Sequence, residues 1–359
     1  MVVLLSLFAI VFGLLLVVGI HEVGHAIVAR FFGVSISKVS IGFGPPLFCW
    51  QSKSGCRWIW ALWPLGGYCT LQNSRIEPVS PENLPNSFDQ KSVSVRCAIL
   101  LAGIFMNLVL AWFLLVFMYC LGYQEFTPVI KTIETPSIAS TAGFRAGDRI
   151  MSINGKIISS WKEVGMQFVM SLGKRNVSIV VENTSKKRKE IAMNLVSWRL
   201  EKKDQSLLQA MGMKPDLSAK QRVMIAGKSL SLSCSEAFFQ LIDLAWFFLV
   251  IFKQLLIGIL PISVLLGPLG FFSTLAHSFL QGLSVFLYFL ASFNLAVAIF
   301  NVCPIPGLDG GSIVYALIEK IRGKPLSVAM EILLYRLIFI AFCLILVQLL
   351  LNDVQRFLH

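Results

Sequence analysis

Charged side chains are scarce in this chain: Asp, Glu, Lys and Arg make up 14% of its 359 residues, where a soluble protein carries about 25%. Hydrophobic residues reach 56%, and several runs approach the roughly 20 residues that cross a bilayer core, so the shortfall in charge points to lipid as a solvent. Long-period repeats and low-complexity segments are missing, and a disordered or collagen-like chain is excluded. The eight cysteines are scattered with no Cys-x-x-Cys pair; a disulfide-stapled scaffold is excluded, and most read as small buried hydrophobes. The opening run, Met1 to Ile20, lacks the basic flank of a signal peptide and continues as a helix past where cleavage would fall. Acid is in deficit, with 31 Lys plus Arg against 19 Asp plus Glu for a formal charge of +12. In a membrane chain this excess is explained by anionic headgroups and the positive-inside bias, with no nucleic-acid partner required.

Along the chain, the pattern predicts a polytopic α-helical membrane protein of about four transmembrane helices. A first span with its polar end occupies 1–32. Residues 33–96 are rich in Gly, Pro and aromatics with strand-like alternation, a membrane-associated β-hairpin region whose backbone is tolerated at membrane depth only against protein or water. The second span is 97–121. Residues 122–236 hold 18 of the 31 basic residues with short alternating runs and turns, a water-facing domain placed at 122–200. A linker with membrane-associated or re-entrant helices follows at 201–281, then a third span at 282–303, a cytoplasmic turn at 304–331, and a last span at 332–351.

Only four histidines occur, and two of them sit four apart in His21-Glu22-x-x-His25. On a helix that spacing puts both imidazoles on one face, with Glu22 beside the first, supplying two metal ligands and a base. Ionisable residues at the end of an apolar helix are costly to insert and mark function by default. Catalytic zinc takes three protein ligands and an open position. His277 stands alone in apolar sequence and His359 is terminal, so the best remaining candidate is Asp309, after a span in the turn Leu308-Asp309-Gly310-Gly311. An ordinary tight turn accounts for that composition equally well.

Charge and parity bear on the same question. Residues 30–96 carry seven basic against three acidic side chains and 303–329 three against two, so both lean cytoplasmic. A full crossing by 237–258 would put Asp309 on the face opposite His25; the segment is therefore expected to lie along or re-enter the membrane, as Asp243, Lys253 and the breakers Pro261 and Gly267-Pro268 permit.

These residues resemble the site-2 protease family of intramembrane zinc metalloproteases, in particular its bacterial regulator-of-sigma-E type. The likeness rests on His21-Glu22-x-x-His25, Ser40-Ile41-Gly42-Phe43-Gly44-Pro45, Pro64-Leu65-Gly66-Gly67-Tyr68, Gly103 to Asn107, Asn301-Val302-Cys303-Pro304-Ile305-Pro306-Gly307-Leu308-Asp309-Gly310-Gly311 and Ile318 to Pro325. It implies zinc bound by His21, His25 and Asp309, Glu22 as general base, and Asn301 beside the scissile peptide. Gly66, Gly67, Tyr68, Asn107 and Asn294 are implied as substrate-binding, although Asn294 lies two residues further from Asn301 than the pattern asks and Ile104 replaces a frequent proline. Ser137 to Gly155 resembles a PDZ domain, one copy where tandem pairs are usual.

The expected partners are a transmembrane protein or peptide substrate, membrane lipid and a peptide ligand of the PDZ domain. The expected location is a bacterial inner membrane, with the PDZ domain extracytoplasmic and the active site near the cytoplasmic face. A non-catalytic membrane adaptor with a structural metal is the alternative, and a structural site would have no need of Glu22. A metal transporter would want polar residues through several spans, where the later spans offer few beyond Asn107, Tyr119, Asn294 and Asn301.

Overall fold

The computed structural model describes residues 2–52, 55–196 and 206–358, with backbone alone at 63–65 and 357–358; residues 197–205, where the expected domain ends and the linker begins, and the terminal His359 lie outside these. The first half of the chain forms α1 (Val2–Phe31), β1 (Ile36–Gln51), β2 (Arg57–Leu71), α2 (Val93–Leu121), β3 (Gly122–Phe126), β4 (Ile130–Ile133), α3 (Ile138–Ala142), β5 (Arg149–Ile153), β6 (Lys156–Ile157) and α4 (Trp161–Ser171). The second forms β7 (Val177–Glu182), β8 (Arg188–Met193), α5 (Leu207–Ala210), β9 (Met213–Pro215), β10 (Arg222–Ala226), α6 (Leu230–Leu256), α7 (Pro268–Leu280), α8 (Leu283–Val302), α9 (Asp309–Arg322) and α10 (Val328–Leu358).

Six helical stretches among the described residues are long and apolar enough to cross a membrane: 2–31, 93–121, 230–256, 262–280, 283–302 and 328–356. Leu333, Leu337, Phe339 and Leu344 on α10 are each more than half exposed, a row of apolar surface that suits acyl chains and not water. Length and composition thus admit 230–256 and 262–280 beyond the spans expected from sequence. The second of these is interrupted, and its regular helix, α7, has 13 residues, about 20 Å at 1.5 Å per residue against a core of roughly 30 Å.

One compact unit comprises residues 1–118, 230–245 and 270–348. At one end of α1, Ala9 packs with Leu275, Phe286 and Leu290, and a Cβ on Gly13 would stand 3.1 Å from Leu290. Towards the other end α1 meets α2 closely, because Gly24 leaves room for the Ala102 carbonyl, 2.7 Å from where a Cβ would sit. Small residues at such a crossing let two apolar helices gain packing that lipid cannot supply.

Beside α1, β1 and β2 fold into more than a hairpin. Residues 48–51 meet 57–60, residues 38–41 meet 57–60 on their other side, and 67–70 pair with 38–41 in turn. Residues 58–60 are therefore paired on both sides, and 67–71 lies at one edge with 48–51 at the other. Gly42 and Gly44, at φ 95° and 91°, allow the bend that folds β1 back, a conformation open to glycine at little cost.

Two arginines tie this unit together at the end where α2 begins. Arg96, buried, reaches Glu319 of α9 through both terminal nitrogens at 2.9 Å, a fork-to-carboxylate pairing that fixes direction as well as distance. Arg75 binds Glu331 at 2.9 Å and the Leu326 carbonyl at 2.6 Å, at the start of α10.

The other unit comprises 119–229, 246–269 and 349–359. Its four-stranded sheet has the order β6-β5-β7-β8, with β4 paired to β9 and β3 to β10, so strands beyond residue 200 join the domain. β7 alternates buried Val177, Ile179 and Val181 with outward residues, and these pack with Ile150, Phe168 and Met193 in one core. Asn154 and Gly155, both at positive φ, join β5 to β6 as the sequence pair predicts. A reciprocal Ser137–Ser140 box caps α3, and Gly143 in the left-handed region ends it. Ile251, Leu255 and Leu260 pack on the same core, and Gln254 donates to the Val169 carbonyl at 2.7 Å.

The Arg96–Glu319 pairing gives a test. Arg96→Met strands a partly buried carboxylate and should lower stability by about 3 kcal/mol, whereas Arg96→Met with Glu319→Met should recover most of it. Thermal melting of the detergent-solubilised protein measures both, and additive losses would contradict a coupled pair.

Candidate metal centre

The helix that begins as an apolar rod delivers two imidazoles from consecutive turns of one face. His25 Nε2 stands 3.1 Å from His21 Nε2, and the carboxylate Oδ2 of Asp309 lies 3.2 Å from the first and 3.4 Å from the second. Four ligands around zinc at about 2.0–2.1 Å would lie about 3.3 Å apart, so these separations fit one shared ion. The chemistry of the set fits too: two imidazoles and one carboxylate leave a tetrahedral position open. Asp309 Oδ2 is buried with no sound hydrogen bond, the condition of an atom awaiting a cation. Burial opposes ionisation of Asp309, but the two imidazoles outweigh it and hold its carboxyl below the usual carboxylate range.

Asp309 is delivered by a turn after α8. Gly307 takes φ 99°, the left-handed backbone that glycine permits, and α9 then starts with Asp309 in its first turn, where the helix dipole favours an anion. Gly310 and Gly311 are a packing requirement: a Cβ on Gly310 would stand 2.3 Å from the Val302 carbonyl, and one on Gly311 2.2 Å from that of Ile305. The paired glycines thus let the aspartate's helix press against the turn that carries it.

The third wall is α2. A Cβ on Gly103 would stand 2.5 Å from His25 Nε2 and 2.8 Å from His21 Cε1, so only a glycine lets α2 lie against both rings. One turn earlier, the Ile99 carbonyl is 2.8 Å from His25 Nδ1. One turn later, Asn107 is fully buried with its amide nitrogen 3.4 Å from His21 Nδ1. Asn107, expected among substrate-binding residues, thus touches a histidine; the Ile99 contact, made through a backbone atom, had no sequence signal.

Glu22 turns toward β2. Its Cγ would be 3.3 Å from a Cβ on Gly67, and the Cys69 backbone amide hydrogen-bonds to it. Gly67 and Tyr68 therefore lie on the strand that runs past Glu22. Gly66 makes room for the Phe43 ring, 2.3 Å from where its Cβ would be, and Tyr68 stacks on Phe43. On α8, Asn301 donates to the Val297 carbonyl at 3.0 Å and the fully buried Asn294 to that of Leu290 at 2.8 Å. Both amides are turned back on their own helix, seven residues apart and so on one face.

Gly103→Ala should force α2 off both rings and cut bound zinc about tenfold or more, while Gly165→Ala, with nothing within 4 Å of the new methyl, should leave it unchanged. Metal content of the purified proteins by mass spectrometry reads the difference.

Comparison with known proteins identifies the family. Residues 9–346 match the model of peptidase family M50. A protein named as a zinc metalloprotease from Neisseria meningitidis is 27% identical over 98% of this chain and 99% of its own length. One so named from Rickettsia conorii is 28% identical over 89% of this chain and 90% of its own. The regulator of sigma-E protease RseP of Escherichia coli is 26% identical over 98% of each. The Neisseria and Escherichia alignments extend over 445 and 444 positions, longer than this chain, whereas the Rickettsia alignment covers 327; the first two relatives thus carry sequence that this one lacks. A family match over nearly the whole sequence, together with two histidines and an aspartate gathered for one ion, places the chain in peptidase family M50, the site-2 zinc metalloproteases.

Proposed function

We propose that this enzyme hydrolyses peptide bonds within or near the transmembrane helices of single-pass membrane proteins, with His21, His25 and Asp309 as zinc ligands and Glu22 as general base. The observation that carries the reading is the convergence of those three side chains beside Glu22 on a helix apolar enough to span a membrane. Zinc held there supplies Lewis acidity toward a peptide carbonyl and toward water. Glu22 takes a proton from the attacking water and hands it to the leaving amide nitrogen, the two-way transfer that a carboxylate within reach of both groups performs. Asn301 leaves its bond to Val297 and donates to the carbonyl oxygen as charge develops there.

A helical substrate hides its carbonyls in its own hydrogen bonds, so it has to unwind before attack. The free edge at 67–71, which runs past Glu22, receives the unwound segment by strand addition. The basic unit is read as a single PDZ domain outside the membrane that filters or tethers substrates; the Asn154-Gly155 turn and the capped α3 support this. Asp243 and Lys253 within α6, and the breakers Pro261 and Gly267-Pro268 after it, support four spans, with 237–258 lying along or re-entering the membrane and the metal centre near the cytoplasmic face of a bacterial inner membrane. The regulator of sigma-E name borne by relatives motivates a role in regulated intramembrane proteolysis, with an anti-sigma factor or signal-peptide remnants as substrates.

Glu22→Gln should lower cleavage of a reconstituted transmembrane substrate by about 10²–10⁴ and leave zinc in place, whereas Asp309→Ala and His25→Ala should lose both; full cleavage by the Glu22→Gln enzyme would remove Glu22 from the mechanism. For the strand, Leu71→Pro should cut cleavage about tenfold with zinc retained, and Phe48→Pro on the opposite edge should not. Equal turnover of the two proline variants would contradict substrate addition at 67–71.

A further inference from the structure

The two histidines are not equally supported on the side away from the metal. The atoms that converge on Asp309 are both Nε2, so binding there leaves each neutral imidazole with its proton on Nδ1. For His25 that proton has an acceptor, the Ile99 carbonyl at 2.8 Å. For His21 the facing atom is the Asn107 amide nitrogen at 3.4 Å, a donor set against a donor. At the same time Asn107 Oδ1 is buried without a partner, in a residue with no solvent exposure. Carboxamide oxygen and nitrogen have nearly the same shape, and their assignment follows from the hydrogen bonds around them. Half a turn about the terminal bond brings the orphaned oxygen to the one ring N–H that lacks an acceptor. It also moves the amide N–H groups away from the cationic centre.

We propose that Asn107 is a positioning residue for the metal, its Oδ1 accepting from His21 Nδ1–H and thereby fixing the tautomer that presents His21 Nε2 to zinc. The inference rests on the reading of His21 as a ligand. The helix geometry suits the role. Ile99, Gly103 and Asn107 are spaced by one turn each on a single face of α2, and they meet His25, both rings and His21 in that order. One helix thus holds the outer nitrogens of both ligands, one through a backbone carbonyl and one through a side chain. Asn107 lies 86 residues from His21 and donates nothing to the ion itself; its effect is on the orientation and basicity of the ring.

Zinc affinity, measured on the full chain in detergent by competition with a chromophoric chelator, tests this without any cleavage assay. Asn107→Leu and the smaller Asn107→Ala should each weaken zinc about 10–100-fold. Asn107→Asp, which keeps an acceptor and removes the donor, should hold affinity within about threefold of wild type or tighten it. Unchanged affinity in the Leu and Ala variants would overturn the proposal, as would an Asp variant as weak as they are, since the amide N–H or mere packing would then be the operative feature. His21→Ala in the same titration separates the two readings. Affinity equal to wild type there means His21 is no ligand; a large loss there beside an unaffected Asn107→Leu means that His21 binds and Asn107 does not support it.

Discussion

The approach of α1 to α2 at Gly24 and Gly103 constrains everything else in the site. Two imidazoles on one helix face are mobile about two torsions each, and a metal centre needs them fixed to a few tenths of an ångström. Close packing makes this possible here: at Gly103 a backbone without a side chain lies over both rings, and the carbonyl of Ile99 meets His25 because the helices are close enough for main chain to reach side chain. Any residue larger than glycine at 103 would occupy the space of the rings themselves. Close contact and hydrogen bonding are therefore one feature of the structure.

The carboxylate has to reach the same point from far along the chain, and its delivery uses the same device. Gly310 and Gly311 let the first turn of α9 lie on the carbonyls of the preceding turn, as Gly103 lets α2 lie on the histidines. Arg96 then fixes the far end of α9 through Glu319, and Arg96 belongs to the helix that carries Ile99, Gly103 and Asn107. Along α2, therefore, one residue orients the helix of the aspartate and the next three turns orient the histidines. A single helix thus touches both histidines and the helix that carries the aspartate.

What the sequence disclosed follows from how local each signal was. His21 and His25 were legible because one helical turn relates them, and Asp309 was nominated by its turn composition while that composition also suited an ordinary turn. The Asn154-Gly155 turn and the ends of α3 were readable for the same local reason. Asn107 was visible as an unusual polar residue in an apolar helix, yet nothing along the chain says that its neighbour is His21. The double pairing of 58–60 was hidden because strand-like alternation reports which face is buried and is silent on how many neighbours a strand has. The stretch 230–280 carries charges and breakers that argue against spanning and lengths that permit it; composition cannot separate these, since a helix packed on protein and one in lipid share the same apolar pattern.

Charge balance explains why such a site can persist in an apolar helix bundle. Glu22 and Asp309 are two carboxylates that interact with the same pair of histidines, and in apolar surroundings an unpaired carboxylate is expensive. A divalent cation held by His21, His25 and Asp309 would cancel both charges, leaving neutral imidazoles and a locally neutral cluster. Metal binding and the stability of the α1–α2–α9 contact would then be linked, the ion relieving a repulsion that folding creates. The linkage also assigns Glu22 its position. On the helix face beside His21 it is near enough to share in that neutralisation, yet it is held toward Gly67 and Cys69 of the strand and out of the ligand set, so its oxygen atoms stay available for a proton.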